Sequence, residues 1–172
     1  MPDQVVFRDV SDPASKSRAC HAITLTIPQC FGQADANAKY RAGIVDKPVF
    51  AAFLRDRPVG AIALRFHDKE TAEIWWLGMR SDQQCKGIGS RLLEMAFDHA
   101  RQAGCHNAVL MTVSEKSADP YYASTRAFYR SHGFLPLVGV NEDDRHTPMM
   151  WMIRPLGSVR SSATGARVPN CP

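Results

Sequence analysis

The sequence predicts a single α/β domain, a mixed and mostly antiparallel sheet flanked by helices, and three observations carry that prediction. A β-rich run, Ile74-Trp75-Trp76-Leu77, leads into the glycine-bearing loop Gln84-Cys85-Lys86-Gly87-Ile88-Gly89-Ser90. After the loop, apolar residues recur at Leu92, Leu93, Ala96, Phe97, Ala100 and Ala103, a helical period closed by Gly104. Before the run, short apolar segments separated by charged turns read as antiparallel hairpins.

Taken in order, Val5 to Val10 is a short strand. Ser11 or Asp12 followed by Pro13 starts a helix, because the side-chain oxygen caps while proline tolerates the first helical position; the helix runs to about Thr26 and Pro28 ends it. Ala34 to Ala42 is a second, short helix, amphipathic enough to dock on the sheet. Val49 to Leu54 and Val59 to Phe66 form a hairpin around Arg55-Asp56-Arg57-Pro58, and Asp68-Lys69-Glu70 turns into the strand that carries Glu73 and the paired tryptophans. The loop helix, a strand over Asn107 to Val113, a helix through Tyr129, and strands around Leu135 to Val140 and Met149 to Ile153 complete the order, the last two joined by a polar link from Asn141 to His146. The domain thus spans residues 5–156. Residues 157–172 carry too little apolar content to offset their ordering entropy and read as a flexible tail.

With 172 residues and 45% hydrophobic content, the chain is long enough for one domain with a real core. Its net charge of +4 is small and scattered, which argues against nucleic acid as a partner. No apolar run approaches the ~20 residues that span a bilayer, and the N-terminus lacks a signal pattern, so a cytoplasmic protein without a membrane partner is expected. Cys20, Cys30, Cys85, Cys105 and Cys171 form no Cys-x-x-Cys pair and read as reduced thiols. His67, His99, His106, His132 and His146 stand on different elements without metal-ligand spacing, so no metal is expected.

The loop decides the ligand. Glycines at a helix mouth let backbone approach a guest, and the unpaired N–H groups of the first turn favour an anion, phosphate above all. A Walker loop would need Lys after its glycines, and here Lys86 precedes Gly87; a dinucleotide fingerprint would need a third glycine where Leu92 stands. What fits is Gln-x-x-Gly-x-Gly, Gln84 to Gly89, and with it the chain resembles the GNAT superfamily of N-acetyltransferases, whose loop binds the pyrophosphate of coenzyme A. A second motif, Thr125-Arg126-Ala127-Phe128-Tyr129-Arg130-Ser131-His132-Gly133-Phe134, looks like the family's later helix and stands in family order. The resemblance extends from about Val5 to Leu156.

That resemblance implies acetyl-CoA as acetyl donor, held by Gln84, Cys85, Lys86, Gly87, Ile88, Gly89 and Ser90, with main-chain bonds from Leu77 and Met79 to the pantetheine arm. Gly78 between those two suits a bulge that would open a slot for the thioester. Cys85 departs from relatives that carry glycine there, and a Cβ is tolerated if φ stays below zero.

Acyl transfer to an amine needs a neutral nucleophile and a proton for the leaving thiolate. Glu73 matches a position where many relatives carry a glutamate base; the alternative is a solvated carboxylate at a strand end. Tyr129 matches the family's general acid; the alternative is a tyrosine packed in the core. No cysteine falls at a family nucleophile position, which implies direct attack. A coenzyme A sensor without turnover is the rival from another class. The acceptor, a small-molecule or peptide amine, stays open, as does the choice between monomer and homodimer; the acidic residues Glu142 to Asp144 either attract a cationic acceptor or form a plain polar loop.

Overall fold

Of Ser11 and Asp12, the two residues that could start the first helix before Pro13, it is Asp12 that caps it. Its carboxylate accepts the Ser15 N–H at 2.7 Å, and α1 runs Pro13–Thr24. The computed structural model describes residues 4–117, 119–140 and 147–157. The tail beyond Gly157 and the acidic link 141–146 lie outside the described residues.

Seven strands form one sheet: β1 Val6–Asp9, β2 Val49–Leu54, β3 Arg57–Phe66, β4 Thr71–Met79, β5 Asn107–Val113, β6 Leu135–Val140 and β7 Met149–Pro155, in the order β1-β2-β3-β4-β5-β7-β6. Every neighbouring pair is antiparallel except β4 and β5, as the mixed sheet expected from the sequence requires. The β2–β3 hairpin turns on two residues, Arg55 at φ 48° and Asp56 at φ 58°, the left-handed pair that matches strand twist in a tight turn. Asp68 closes the next turn by accepting the N–H groups of Glu70 and Thr71, both at 2.7 Å.

Helices cover both faces. On one, α3 (Ile88–Gln102) buries Leu92, Leu93, Ala96 and Phe97 against Ile62, Leu64, Leu110, Phe134 and Met152. Each of the leucine and phenylalanine side chains contributes about 1.5–3 kcal/mol of burial. On the other, Cys20 and Ile23 of α1 meet Ile27, Ile44, Val49, Ala61, Ala63 and Trp76. The second helix, α2 (Ala34–Gly43), fully buries none of its residues and sends a half-buried Tyr40 toward this core. Lys16 ties α1 to the segment after α2, its buried ammonium donating to the carbonyls of Val45 at 3.2 Å and Lys47 at 2.6 Å. No helix of the described residues is long and apolar enough to cross a membrane.

Two irregularities shape the middle of the sheet. First, β4 and β5 pair only at Thr71 with Asn107, Ala72 with Ala108 and Glu73 with Val109; beyond these the strands part. Second, β4 carries a bulge, since Ala63 faces Trp76 and Leu64 faces Ile74, leaving Trp75 without a partner. The extra residue breaks the two-residue alternation, so the consecutive Trp75 and Trp76 both pack with the α1 side. The bulge expected at Gly78 is thus found at Trp75. Gly78 pairs regularly with Ala61, and what its missing side chain accommodates is the Trp76 ring: a Cβ there would lie 2.5 Å from Cη2.

Candidate functional site

Where β4 and β5 part, a cavity of about 490 Å³ opens between the start of α3 and the last helix, α4 (Pro120–Ser131). Its floor is Ile74 to Met79 on β4, and Met111 to Val113 of β5 form one wall.

The loop at one end has an unusual backbone. A short 3-10 turn, Ser81–Gln83, leads to Cys85 at φ 58° and Gly87 at φ 77°. The condition set for Cys85, φ below zero, is not met: the residue adopts the left-handed conformation that favours glycine, at a cost of about 1–2 kcal/mol. Helix α3 starts at Ile88 with no side-chain cap, whereas Asp12 caps α1 and Asp119 caps α4 through the Tyr121 N–H at 2.9 Å. The first backbone bond of α3 runs from the Arg91 N–H to the Gly87 carbonyl at 3.1 Å, which leaves the N–H groups of Ile88, Gly89 and Ser90 without a helical acceptor.

Of the ligand-holding residues expected from the sequence, Leu77, Met79, Gln84, Cys85, Gly87, Gly89 and Ser90 line the cavity. Lys86 and Ile88 do not. The Lys86 ammonium donates to Gln83 Oε1 at 3.2 Å, and the Ile88 side chain is buried in the α3 core. Gln84 Nε2 donates to the Met79 carbonyl at 3.4 Å, joining loop to strand. At Gly89 the absent side chain lets α3 approach α4, since a Cβ would stand 3.2 Å from Phe128 Cζ.

Tyr129 lines the same cavity, its ring 5.6 Å from Phe128 and 5.8 Å from Phe134. Burial pushes its phenol well above the ordinary tyrosine range, and the nearby Cys30 and Tyr122 add to the shift. Arg126, buried three residues earlier, donates to the carbonyls of Val113 at 3.1 Å and Ser114 at 3.2 Å, fixing α4 to the end of β5. Glu73 is not brought to the cavity. It sits in the last pair before the fork, 4% exposed, with Oε2 held by Arg65 Nε at 2.7 Å, Arg65 Nη2 at 2.6 Å and His67 Nε2 at 2.7 Å. It is therefore neither solvated nor facing the fork.

The sequence alone does not mark the structural role of Arg126 or the aromatic side chains at the other end of the cavity. Phe31 lies 5.7 Å from Trp76 and 5.8 Å from Tyr40, and Tyr40 lies 5.5 Å from Trp75. Across from them stand Tyr121 and Tyr122, the Tyr122 hydroxyl donating to the Cys30 carbonyl at 3.5 Å. Burial raises the Cys30 thiol and both phenols above their ordinary ranges. Among the described residues lining the cavity there is no carboxylate, imidazole, ammonium or guanidinium. No group of three or more His, Cys, Asp or Glu among the described residues could hold a metal ion.

The sequence profile of the Acetyltransferase (GNAT) family matches residues 19–134. Among curated proteins none matches the chain. Solved structures share the fold at low identity. The aminoglycoside 6'-N-acetyltransferase from Enterococcus faecium is 19% identical over 92% of this chain and 99% of its own, with a TM-score of 0.68. The IAA acetyltransferase from Bacillus cereus is 18% identical over 88% and 99%, at 0.65. The PaiA N-acetyltransferase from Thermoplasma acidophilum, solved with coenzyme A, is 15% identical over 88% and 99%, at 0.65.

Proposed function

Because the chain belongs to the Acetyltransferase (GNAT) family, and by that membership is an acyltransferase, we propose that it moves an acetyl group from acetyl-CoA to a primary amine by direct attack. The observation that carries this reading is the uncapped start of α3 placed at the mouth of a fork in the sheet that Tyr129 also lines.

The residues fit the donor. The free N–H groups of Ile88, Gly89 and Ser90, reinforced by the helix dipole, would hold the pyrophosphate where α1 and α4 have carboxylates instead. The parted edge of β4 would offer the backbone of Leu77 and Met79 to an extended arm with amide groups. Bound acetyl-CoA supplies the thioester. The amine nitrogen forms the new C–N bond as the C–S bond breaks, the departing thiolate takes the Tyr129 proton, and the proton shed by nitrogen restores the phenol. Burial raises the proton affinity of Tyr129, so the phenol is in its acid form at neutral pH when the thiolate departs.

Among the described residues the cavity lining carries no charge, and burial without a counter-charge disfavours an ammonium, which favours the neutral amine. We assign Glu73 to holding the base of the fork with Arg65 and His67, and give the base role to no side chain. Free thiol released from acetyl-CoA, followed with a panel of primary amines, tests the proposal. Amine-dependent thiol release is the expected result; coenzyme binding without release under any amine would favour the sensor reading.

A further inference from the structure

Acetyl transfer leaves the acceptor unnamed, and the far end of the cavity bears on it. Phe31, Tyr40, Trp75 and Trp76 make an unbroken chain of ring contacts, 5.5 to 5.8 Å between centroids, with Tyr121 and Tyr122 facing it. The bulge is what makes this wall. An unbroken strand would send Trp75 and Trp76 to opposite faces, and both are on this one.

We infer that the acceptor is a monoamine carried on an aromatic ring, held between this wall and the α4 tyrosines. The inference rests on the acetyl-transfer reading for what the amine does, but on the rings alone for what carries it. Flat apolar rings stack offset or edge-on against aromatic side chains, and the three ring contacts already present are two edge-on and one tilted.

Charge argues the same way. A polyamine would bring several ammonium groups into a cavity whose described lining holds no carboxylate to meet them. Lys47 already occupies the face of Trp75, its Nζ 4.3 Å from the ring centre and paired with Asp46 Oδ1 at 2.9 Å, so that ring face is not open to a ligand ammonium. Asp119 raises Cys30 and Tyr122 from beside the cavity, and its Oδ1 accepts the Tyr121 N–H; one exposed carboxylate of that kind serves a single ammonium on approach. Cys30, Tyr121, Tyr122 and Tyr129 are all held in their neutral forms by burial, so none supplies an anion inside.

The test uses the full chain saturated with coenzyme A and four probes: 2-phenylethylamine, tryptamine, butylamine and kanamycin. Calorimetry should show both arylalkylamines binding at least tenfold more tightly than butylamine, which carries the same amine without a ring, and than the polycationic kanamycin. In Phe31→Ala the arylalkylamine advantage should shrink about tenfold, with coenzyme affinity unchanged. Butylamine or kanamycin binding as well as the arylalkylamines, or no binding of either arylalkylamine, would overturn the inference. Turnover is read separately as thiol release. If arylalkylamines bind with the stated preference and no thiol is released, the transfer reading falls while the ring preference stands.

Discussion

Arg65 stands directly opposite Glu73 across β3 and β4, and its Nη2 lies 2.6 Å from the carboxylate's Oε2. Glu73 is nearly sealed from solvent while Arg65 is half exposed, so the guanidinium reaches in from the surface to meet a buried charge. Glu73→Gln leaves that guanidinium and His67 without their anion. The loss should be about 1–3 kcal/mol, read as a lower thermal midpoint, because each kcal/mol corresponds to about 2–4 °C at this chain length. Turnover relative to the parent should be a constant fraction from neutral to alkaline pH. A fraction that rises toward one as the amine deprotonates would instead make Glu73 the base.

Tyr129→Phe removes a proton donor and little else, because the ring contacts with Phe128 and Phe134 persist. Coenzyme affinity should hold while kcat falls about 10²-fold or more. The parent's pH profile carries a sign set by burial. A phenol whose affinity for the proton is raised keeps its acid form at all pH below the elevated value, so the Tyr129 contribution should be complete at neutral pH and lost only as pH rises beyond the ordinary tyrosine range of about 10. Activity that persists unchanged after the phenol has ionised would remove Tyr129 from the acid role.

At the loop, Gly87 and Gly89 answer to different constraints. Gly89→Leu places a side chain against Phe128 and over the first-turn N–H groups, so coenzyme A affinity should collapse in calorimetry while circular dichroism stays close to that of the parent. Gly87→Ala meets no atom within 4 Å but must hold φ at 77°, so it should lower stability by about 1–2 kcal/mol through strain. Cys85→Gly should do the reverse and raise the urea midpoint, since it relieves φ 58° at a residue whose side chain is exposed.

Thiol chemistry gives an independent reading of where coenzyme sits. Cys85 is exposed, whereas Cys20 and Cys105 are buried, and burial pushes the Cys20 thiol up to about 12. An alkylating reagent should therefore label Cys85 well before Cys20 or Cys105, and acetyl-CoA should protect it. Mass-spectrometric mapping with and without coenzyme decides the matter; equal labelling of Cys85 in both samples would mean that this loop does not hold the pyrophosphate.

The elements that place the site were legible because their signals are local. Gln84 to Gly89 and the apolar period after it announce a strand, loop and helix, and Ser11 or Asp12 before Pro13 announces α1; the structure keeps these elements, with Asp12 as the cap. The bulge was not legible. It depends on Ala63 facing Trp76 while Leu64 faces Ile74, a matter of register between strands, and no residue in β4 marks it. Glycine drew attention to Gly78 because a missing side chain commonly accompanies a bulge, yet that space serves the Trp76 ring. For the same reason the Phe31, Tyr40 and Trp75 wall stayed hidden, as its members come from separate elements. Glu73 was found as a residue and not as a partner: only the β3–β4 register sets Arg65 beside it.

A sheet edge usually lies on the outside of a protein, where unpaired N–H and C=O groups recruit strands from other chains. The fork beyond Glu73 and Val109 gives this protein two more edges and keeps them indoors, walled by α3 and α4. Within the sheet, three ladder pairs join β4 to β5, so an extended guest pairing with both edges would extend that seam as a splice between the halves. Occupancy would then be written into the sheet itself: amide protons of Leu77, Met79, Met111 and Val113 should slow their exchange together when the splice is in place, while those of β1 and β2, far from the fork, keep their rates.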